Sequence, residues 1–201
     1  MKHIEINPDW FYHRATQKNF EKIIVSNGIK AKRQSMSPKE LLTTKPDILW
    51  NGLWYISLAK AEDNISINNS SYAFFILGFF AFIIQDITPI KTKVNRTTLA
   101  KLWSATPSKI RYSLYEDEYQ IKNEIPLDKI IGIKLPETSY IPSLFPNHQT
   151  EIEKNIHNFT TTMKQKNTYF PFIDVEQKQQ IEPNEISNYL KDKYQKIKKR
   201  V

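Results

Sequence analysis

The longest apolar run of the chain limits the folds that it can adopt. Residues 72–84 are almost all aliphatic or aromatic, but the run spans only about 13 residues. A helix that crosses a membrane needs about 20, and Gly78 interrupts the run. We therefore expect buried core here, with the end of a helix followed by a fully buried strand from Phe79 to Ile84.

The composition is that of a folded domain, and it excludes several kinds of chemistry. Of the 201 residues, 40% are hydrophobic and 25% are charged, which suits a chain that buries a core. The absence of cysteine excludes disulfides, thiolate catalysis and cysteine-bound zinc. The four glycines leave no glycine-rich phosphate loop, and His3, His13, His148 and His157 lack the spacing of metal ligands, so we expect no metal.

The positive charge is concentrated at the C-terminal end. The formal net charge is +8, and residues 191–201 contain six basic residues and one acid, which makes +5. This pattern favours a solvated helix end over a nucleic-acid grip. The first ten residues lack the apolar segment of a secretory signal, so we expect a cytoplasmic protein, or one delivered into a target cell by a signal-independent route.

Hydrophobic periodicity predicts an α+β fold. A strand at Trp10 to His13 precedes a helix that begins at Thr16, buries Phe20, Ile23 and Ile24, and ends at Asn27-Gly28. Further strands are predicted at residues 29–31, 52–58, 79–84, 119–122 and 130–135. Residues 87–94 are expected to continue or bend the strand at 79–84. Further helices are predicted at residues 71–77, 97–103, 150–165 and 184–200.

The character of the sequence changes after Pro136, where prolines become frequent and strand signals become few. We predict a main domain at residues 1–139 and a basic, helical C-terminal extension at residues 140–201 that packs on it. Three aromatic residues are candidates for this contact, namely Tyr169, Phe170 and Phe172. The last helix has one apolar face, formed by Ile186, Leu190, Tyr194 and Ile197.

Three segments carry the candidate chemistry. They are residues 11–16 (FYHRAT), 52–57 (GLWYIS) and 116–121 (EDEYQI), the last followed by Ile125-Pro126 and a terminal strand. In this order they resemble the ADP-ribosyltransferase superfamily, which has a His on the first strand, a Tyr on a later strand and a Glu at the start of a strand near the end. The resemblance covers roughly residues 10–136. It implies a split, strongly bent β-sheet that clasps NAD+, with flanking helices.

The resemblance also implies roles for individual residues. Glu118 is the candidate to stabilise the oxocarbenium-like transition state that forms when the nicotinamide–ribose bond breaks. His13 would hold the other ribose, and the ring of Tyr55 would stack on nicotinamide. The same segments supply further candidate contacts to NAD+ from Arg14, Thr16 and Ser57.

Glu116 and Glu118 form an E-x-E pair, and residues i and i+2 of a strand point to the same face. In the arginine-modifying branch of the superfamily the first Glu of such a pair engages the acceptor, which implies a guanidinium acceptor near Glu116 and Tyr115.

The first strand departs from that branch, which has Arg where His13 stands here; Arg14 is one residue out of phase. Two sets therefore stay open. The set His13, Tyr55 and Glu118 is favoured over the set Arg14, Ser57 and Glu118, because His13 directly follows Tyr12.

The same residues also have readings that carry no catalysis. His13 can be a structural histidine, Tyr55 can be core, and residues 116–118 can form an acidic turn before a strand. Arg111 is interpreted as an ion-pair partner in preference to a phosphate ligand.

Three functions follow from the resemblance. The favoured one is a mono-ADP-ribosyltransferase that modifies a protein side chain, as a bacterial toxin or effector would. The alternatives are ADP-ribosylation of a DNA or RNA base, and a non-catalytic module of the same fold that binds a partner.

Overall fold

The structure is a computed structural model that describes residues 1–35, 54–60, 79–94, 116–135 and 149–198. In these residues the chain is α+β, with a core that is mostly sheet and a few helices. The predicted helices at 71–77 and 97–103 lie outside the described residues.

The strands are numbered in chain order. They are β1 (Lys2–His3), β2 (Phe11–Thr16), β3 (Gly28–Lys30), β4 (Tyr55–Lys60), β5 (Phe79–Ile84), β6 (Ile90–Val94), β7 (Glu116–Lys122), β8 (Glu124–Pro126), β9 (Ile130–Lys134), β10 (Phe172–Asp174) and β11 (Gln179–Ile181). The predicted strands at 79–84 and 130–135 are confirmed, and residues 87–94 yield a separate strand, because Asp86 takes a left-handed conformation with φ of 53° after β5.

The helices are α1 (Gln17–Val25), the single turn α2 (Lys32–Ser35), α3 (Gln149–Gln165) and α4 (Ile186–Lys198), with a 3-10 turn at Leu127–Lys129. The predicted helix after Thr16 is confirmed as α1, with Thr16 as its N-cap and Asn27 in a left-handed conformation beyond its end. None of the helices in the described residues is long and apolar enough to cross a membrane.

Nine of these strands form one sheet in the order β1-β11-β10-β9-β5-β2-β4-β7-β6. Neighbouring strands are antiparallel except β9 and β10, which run parallel. Strands β3 and β8 form a separate two-stranded ladder. The strands β2, β4 and β7, which contain the three candidate segments, are consecutive in the large sheet.

One face of the large sheet is covered by α1, α3 and α4. Alternate residues of β2, β4 and β5 point into this core together with apolar residues of the three helices. Phe20 of α1 lies at its centre and is 1% exposed. Its ring contacts four other buried rings, at centroid distances of 4.6–6.2 Å from Phe159, Phe80, Phe82 and Phe170.

The opposite face has a smaller apolar cluster at Trp10, Tyr12, Ala81, Ile83 and Ile173. Ile4 and Ile6 of the N-terminal segment pack against this cluster. The two clusters take alternate residues of the same strands, as the period of two in a β-strand requires.

The C-terminal region is only partly as predicted. The helices expected at 150–165 and 184–200 are confirmed as α3 and α4. The prediction of a purely helical extension was wrong, because β10 and β11 lie between these helices and join the large sheet beside β9. Phe170 and Phe172 are buried as expected, whereas Tyr169 is 52% exposed and its hydroxyl bonds Glu182 instead of packing on the sheet.

Candidate functional site

The backbone ladder between β2 and β4 is short and ends at the candidate site. Phe11 pairs with Lys60 and Tyr12 with Ala59, and no further pairs follow within these two described strands. Strand β2 nevertheless stays paired with β5 as far as Thr16, and β4 stays paired with β7 from Tyr55 to Leu58. The pairing of β2 with β4 therefore ends at Tyr12 and Ala59.

His13 is the first residue of β2 beyond that short ladder. Its Nδ1 lies 3.0 Å from the carbonyl oxygen of Ser57 on β4. A carbonyl oxygen only accepts hydrogen bonds, so Nδ1 is the protonated nitrogen and donates. The side chain of His13 thus bridges the two strands where their backbones cease to pair.

Burial lowers the pKa of the His13 imidazole below its ordinary value of 6.5. The hydrogen bond to Ser57 opposes this shift, and the charge of Arg14 adds to it. The ring is therefore neutral near pH 7, with Nδ1 bonded to the strand and Nε2 as a hydrogen-bond acceptor.

The alternation along the strands separates His13 from the other candidates. Phe11 and Ala15, two residues to either side of His13, belong to the core on the helical face. Arg14 is exposed, and it shares its alternation with Tyr12, which lies in the cluster on the opposite face. Successive residues of a strand point to opposite faces of a sheet, so His13 and Arg14 lie on opposite faces.

Tyr55 and Ser57 alternate with Ile56 and Leu58 of the helical core, so they belong to the same face as Arg14. Ser57 is exposed and Tyr55 is half-buried. The interpretation of Tyr55 as a core residue is therefore wrong. Thr16, the last residue of β2, is also half-buried and shares the alternation of Arg14.

Glu116 and Glu118 lie in β7, where their backbones pair with Val94 and Thr92 of β6. The acidic-turn interpretation of residues 116–118 is therefore wrong, because β7 begins at Glu116 and not at Tyr119. Gln120 of the same strand pairs with Ser57.

Positions 116, 118 and 120 share one face by the alternation of the strand. The sheet thus assigns the positions of Glu116 and Glu118 to the face that carries Ser57 and Arg14. Tyr115 and Arg111 lie outside the described residues.

The structure also contains a feature that the sequence interpretation missed. The guanidinium carbon of Arg33, in α2, lies 4.2 Å from the ring centroid of Trp54, the residue directly before β4. Trp54 falls within the strand predicted at residues 52–58, but β4 begins one residue later, at Tyr55, and Trp54 is 43% exposed. No signal in the sequence links Arg33 to Trp54, since the two residues are distant in the chain.

Other parts of the described chain offer less. A shallow groove between α1 and α3 is lined by polar residues such as Lys18, Glu21 and His157, none of which is a candidate above. No group of three or more His, Asp or Glu side chains arranged to hold a metal ion occurs among the described residues.

Comparison of the chain with protein-family models, with curated proteins and with solved structures gave no match. The sequence motifs, and the sheet in which the strands that contain them are neighbours, are therefore the features that bear on function.

Proposed function

We propose that this protein is a mono-ADP-ribosyltransferase that cleaves NAD+ and transfers ADP-ribose to a protein side chain. One observation carries the proposal. The three segments that resemble the superfamily are far apart in the sequence, yet they form three consecutive strands of one sheet, β2, β4 and β7.

The end of the ladder between β2 and β4 supports a cleft at this place. Neighbouring strands lie about 4.8 Å apart, so β2 and β7, on either side of β4, lie about 10 Å apart where the sheet is paired. Beyond Tyr12 the strands β2 and β4 no longer pair. An interrupted ladder suits the split, bent sheet that the resemblance implies.

In the proposed reaction the bond between ribose C1′ and the nicotinamide nitrogen breaks. Nicotinamide leaves with the electron pair as a neutral base, and the ribose develops oxocarbenium character. The carboxylate of Glu118 would stabilise this charge and bind a ribose hydroxyl. A nucleophilic atom of the acceptor then bonds to C1′ and loses its proton.

The carboxylate of Glu116 would bind the acceptor. The two share a strand and an alternation, so Glu116 is available two residues from Glu118 on the same face. A negative site of this kind suits a guanidinium acceptor.

The shared face favours Arg14, Tyr55 and Ser57 as the residues that contact NAD+ beside Glu118. His13 is then a positioning residue, because its bond to the carbonyl of Ser57 holds β4 against β2 where their backbone pairing ends. Arg14→Gln is expected to raise KM for NAD+, whereas His13→Gln, which retains a donor for that carbonyl, is expected to change kcat and KM little. A large effect of His13→Gln with little effect of Arg14→Gln would instead favour the set His13, Tyr55 and Glu118.

The test is the release of nicotinamide from NAD+ by the purified full chain, with transfer of label from adenine-labelled NAD+ to lysate protein. Glu118→Gln is expected to lower the rate by at least about 100-fold, the usual effect of removing one transition-state contact. The matched control is Glu5→Gln, which alters an exposed carboxylate of the N-terminal segment.

Three outcomes would contradict the proposal in different ways. Wild-type protein that neither binds NAD+ nor releases nicotinamide would refute the enzymatic function. Label found only on added oligonucleotide would refute the protein acceptor. Equal activity of Glu118→Gln and Glu5→Gln would refute the role of Glu118.

A further inference from the structure

We propose that Asn27 is a site of spontaneous covalent modification, at which the backbone nitrogen of Gly28 converts the side-chain amide into aspartate and isoaspartate. Asn27 lies in the short turn between α1 and β3. The chain has a second Asn-Gly pair, Asn51-Gly52, which lies outside the described residues. The proposal does not depend on the transferase activity, because none of the residues assigned to that reaction belongs to this turn.

The reaction needs water as its co-reactant and no enzyme. The backbone nitrogen of Gly28 loses its proton to hydroxide and bonds to Cγ of Asn27, and the side-chain nitrogen of Asn27 leaves as ammonia. Water then opens the resulting succinimide ring at either of its carbonyl groups. One product is aspartate, and the other is isoaspartate, in which the main chain runs through Cβ and Cγ. Glycine after Asn favours ring closure, because it has no Cβ beside the attacking nitrogen.

The side-chain amide of Asn27, which is the group attacked, is accessible. Asn27 is exposed, and within the parts of the chain that the structure describes its amide has no hydrogen-bond partner. No contact of this kind therefore holds the amide away from the nitrogen of the next residue.

The attacking nitrogen of Gly28 takes no part in the ladder between β3 and β8. The N–H of Leu127 donates to the carbonyl of Asn27 at 3.2 Å, and the N–H of Ala31 donates to the carbonyl of Asn123 at 2.6 Å. Bonded and non-bonded pairs alternate along an antiparallel ladder. The alternate residues from Asn27 to Ala31 therefore direct their backbone groups to β8, and the N–H of Gly28 points away from it.

The surroundings of Gly28 set the expected rate. Gly28 is buried, so hydroxide reaches its nitrogen only when the turn opens locally. We therefore expect the modification to occur in the folded protein, but more slowly than in the unfolded chain.

Two other asparagines serve as comparisons within the chain. Asn123 and Asn167 are also exposed, and like Asn27 they have a left-handed backbone, with φ of 70° and 48° against 56°. They precede Glu124 and Thr168, whose side chains shield the attacking nitrogen. The following residue, and not the conformation of the asparagine, is thus the difference that the proposal depends on.

Isoaspartate would disturb the contacts that Asn27 makes through its backbone. Its N–H donates to the carbonyl of Ile24 at 3.1 Å, and its carbonyl accepts from Leu127. Isoaspartate inserts an additional backbone atom between these two groups, so the two bonds do not both keep their geometry. The modified protein should therefore lose part of the tie between the end of α1 and the segment after β8.

The first test is incubation of the purified full chain at mildly alkaline pH, followed by proteolysis and mass spectrometry. We expect loss of most of the Asn27 amide, with isoaspartate as the larger product, before any loss at Asn123 or Asn167 is measurable. Incubation in urea should accelerate the loss at Asn27. Asn27→Gln should abolish the change at this position, because the longer side chain closes a larger, less favourable ring.

Three outcomes would overturn the proposal. They are an Asn27 amide that survives in the folded protein, loss at Asn27 that occurs only in urea, and equal rates of loss at Asn27 and Asn167. The reaction is followed without NAD+, so neither its success nor its failure bears on the proposed transferase function.

The second test measures the effect of the altered backbone on stability. Asn51→Gln serves as the parent, so that the other Asn-Gly pair does not contribute. Its aged acidic fraction, isolated by ion exchange, is compared in urea unfolding with the double variant Asn27→Asp/Asn51→Gln, which has the same charge and a normal backbone. The aged fraction is expected to unfold at a lower urea concentration. Equal unfolding midpoints would refute the structural effect of isoaspartate at this turn.

Discussion

Replacement of Lys193 tests whether a buried ion pair holds helix α4 to the sheet. Asp174, at the end of β10, is 1% exposed and accepts hydrogen bonds from Lys193 Nζ at 2.5 Å and from the Tyr189 hydroxyl at 2.7 Å. It also accepts from the backbone N–H of Gln177 at 3.0 Å. Lys193→Met keeps much of the alkyl chain and removes the charge.

The expected loss follows from the charge that the substitution leaves behind. Removing one partner of a buried pair costs about 3–5 kcal/mol, because the other charge is left uncompensated. Asp174 keeps two donors, from Tyr189 and Gln177, so we expect the lower end, about 3 kcal/mol of unfolding free energy. For a chain of this size that corresponds to a fall of roughly 6–12 °C in Tm.

The assay is urea unfolding at neutral pH, followed by circular dichroism, for a double-mutant cycle with Asp174→Leu. The double variant Asp174→Leu/Lys193→Met should be destabilised by much less than the sum of the single variants, since no charge is then left unpaired.

The matched control is Lys191→Met on the same helix. Lys191 lies 2.9 Å from Glu153, but both side chains are more than 40% exposed, so the expected loss is under about 1 kcal/mol. A loss of under 1 kcal/mol for Lys193→Met, or additive single variants, would refute the reasoning.

Three further predictions concern stability. The hydroxyl of Tyr189 bonds a charged acceptor, so Tyr189→Phe should lower the unfolding free energy by about 1.5–3 kcal/mol at pH 7. Burial raises the pKa of Tyr189, so wild type loses stability as pH rises above about 10, and the difference between wild type and Tyr189→Phe should narrow there. A difference in urea unfolding that stays constant with pH would contradict this. His13 has a lowered pKa, so its contribution to the stability of the fold is present above pH 6.5 and is lost as pH falls below that value. His13→Gln should therefore lose less stability than wild type between pH 7 and pH 5. Identical stability profiles against pH would count against this prediction. Gly28, the first residue of β3, has φ of 150°, and an added Cβ would lie 2.4 Å from the carbonyl oxygen of Ile125. Gly28→Ala should therefore lower the unfolding free energy by at least about 2 kcal/mol. A neutral result in thermal unfolding would show that the backbone at this position relaxes.

The sequence predicts the elements that depend on local patterns. Helix α1 is predictable because a cap residue, a period of 3.6 in Phe20, Ile23 and Ile24, and the pair Asn27-Gly28 all agree within a dozen residues. Strand β5 is predictable because the apolar run that contains it is too short for a membrane-spanning helix and is therefore expected to be buried core. The E-x-E pair is predictable as a motif, and so is its shared face once β7 is known to be a strand.

Contacts between distant segments are not predictable in this way. The sequence does not show that β2, β4 and β7 are neighbours, that the pairing of β2 with β4 ends at Tyr12, or that His13 bonds the carbonyl of Ser57. The strands β10 and β11 have three residues each, too few for a period of two to be recognised, so the C-terminal region was expected to be helical.

The sequence by itself therefore determined an α+β chain, its strongest helices and strands, and the motifs on which the proposed transferase function depends. Only the tertiary structure decided which of those residues share a face, that Tyr169 is exposed while Asp174 and Lys193 are buried, and that Arg33 covers Trp54. The physical reason is that periodicity and capping act within a few residues, whereas burial and strand order depend on which segments meet, a choice made by the free energy of the whole core.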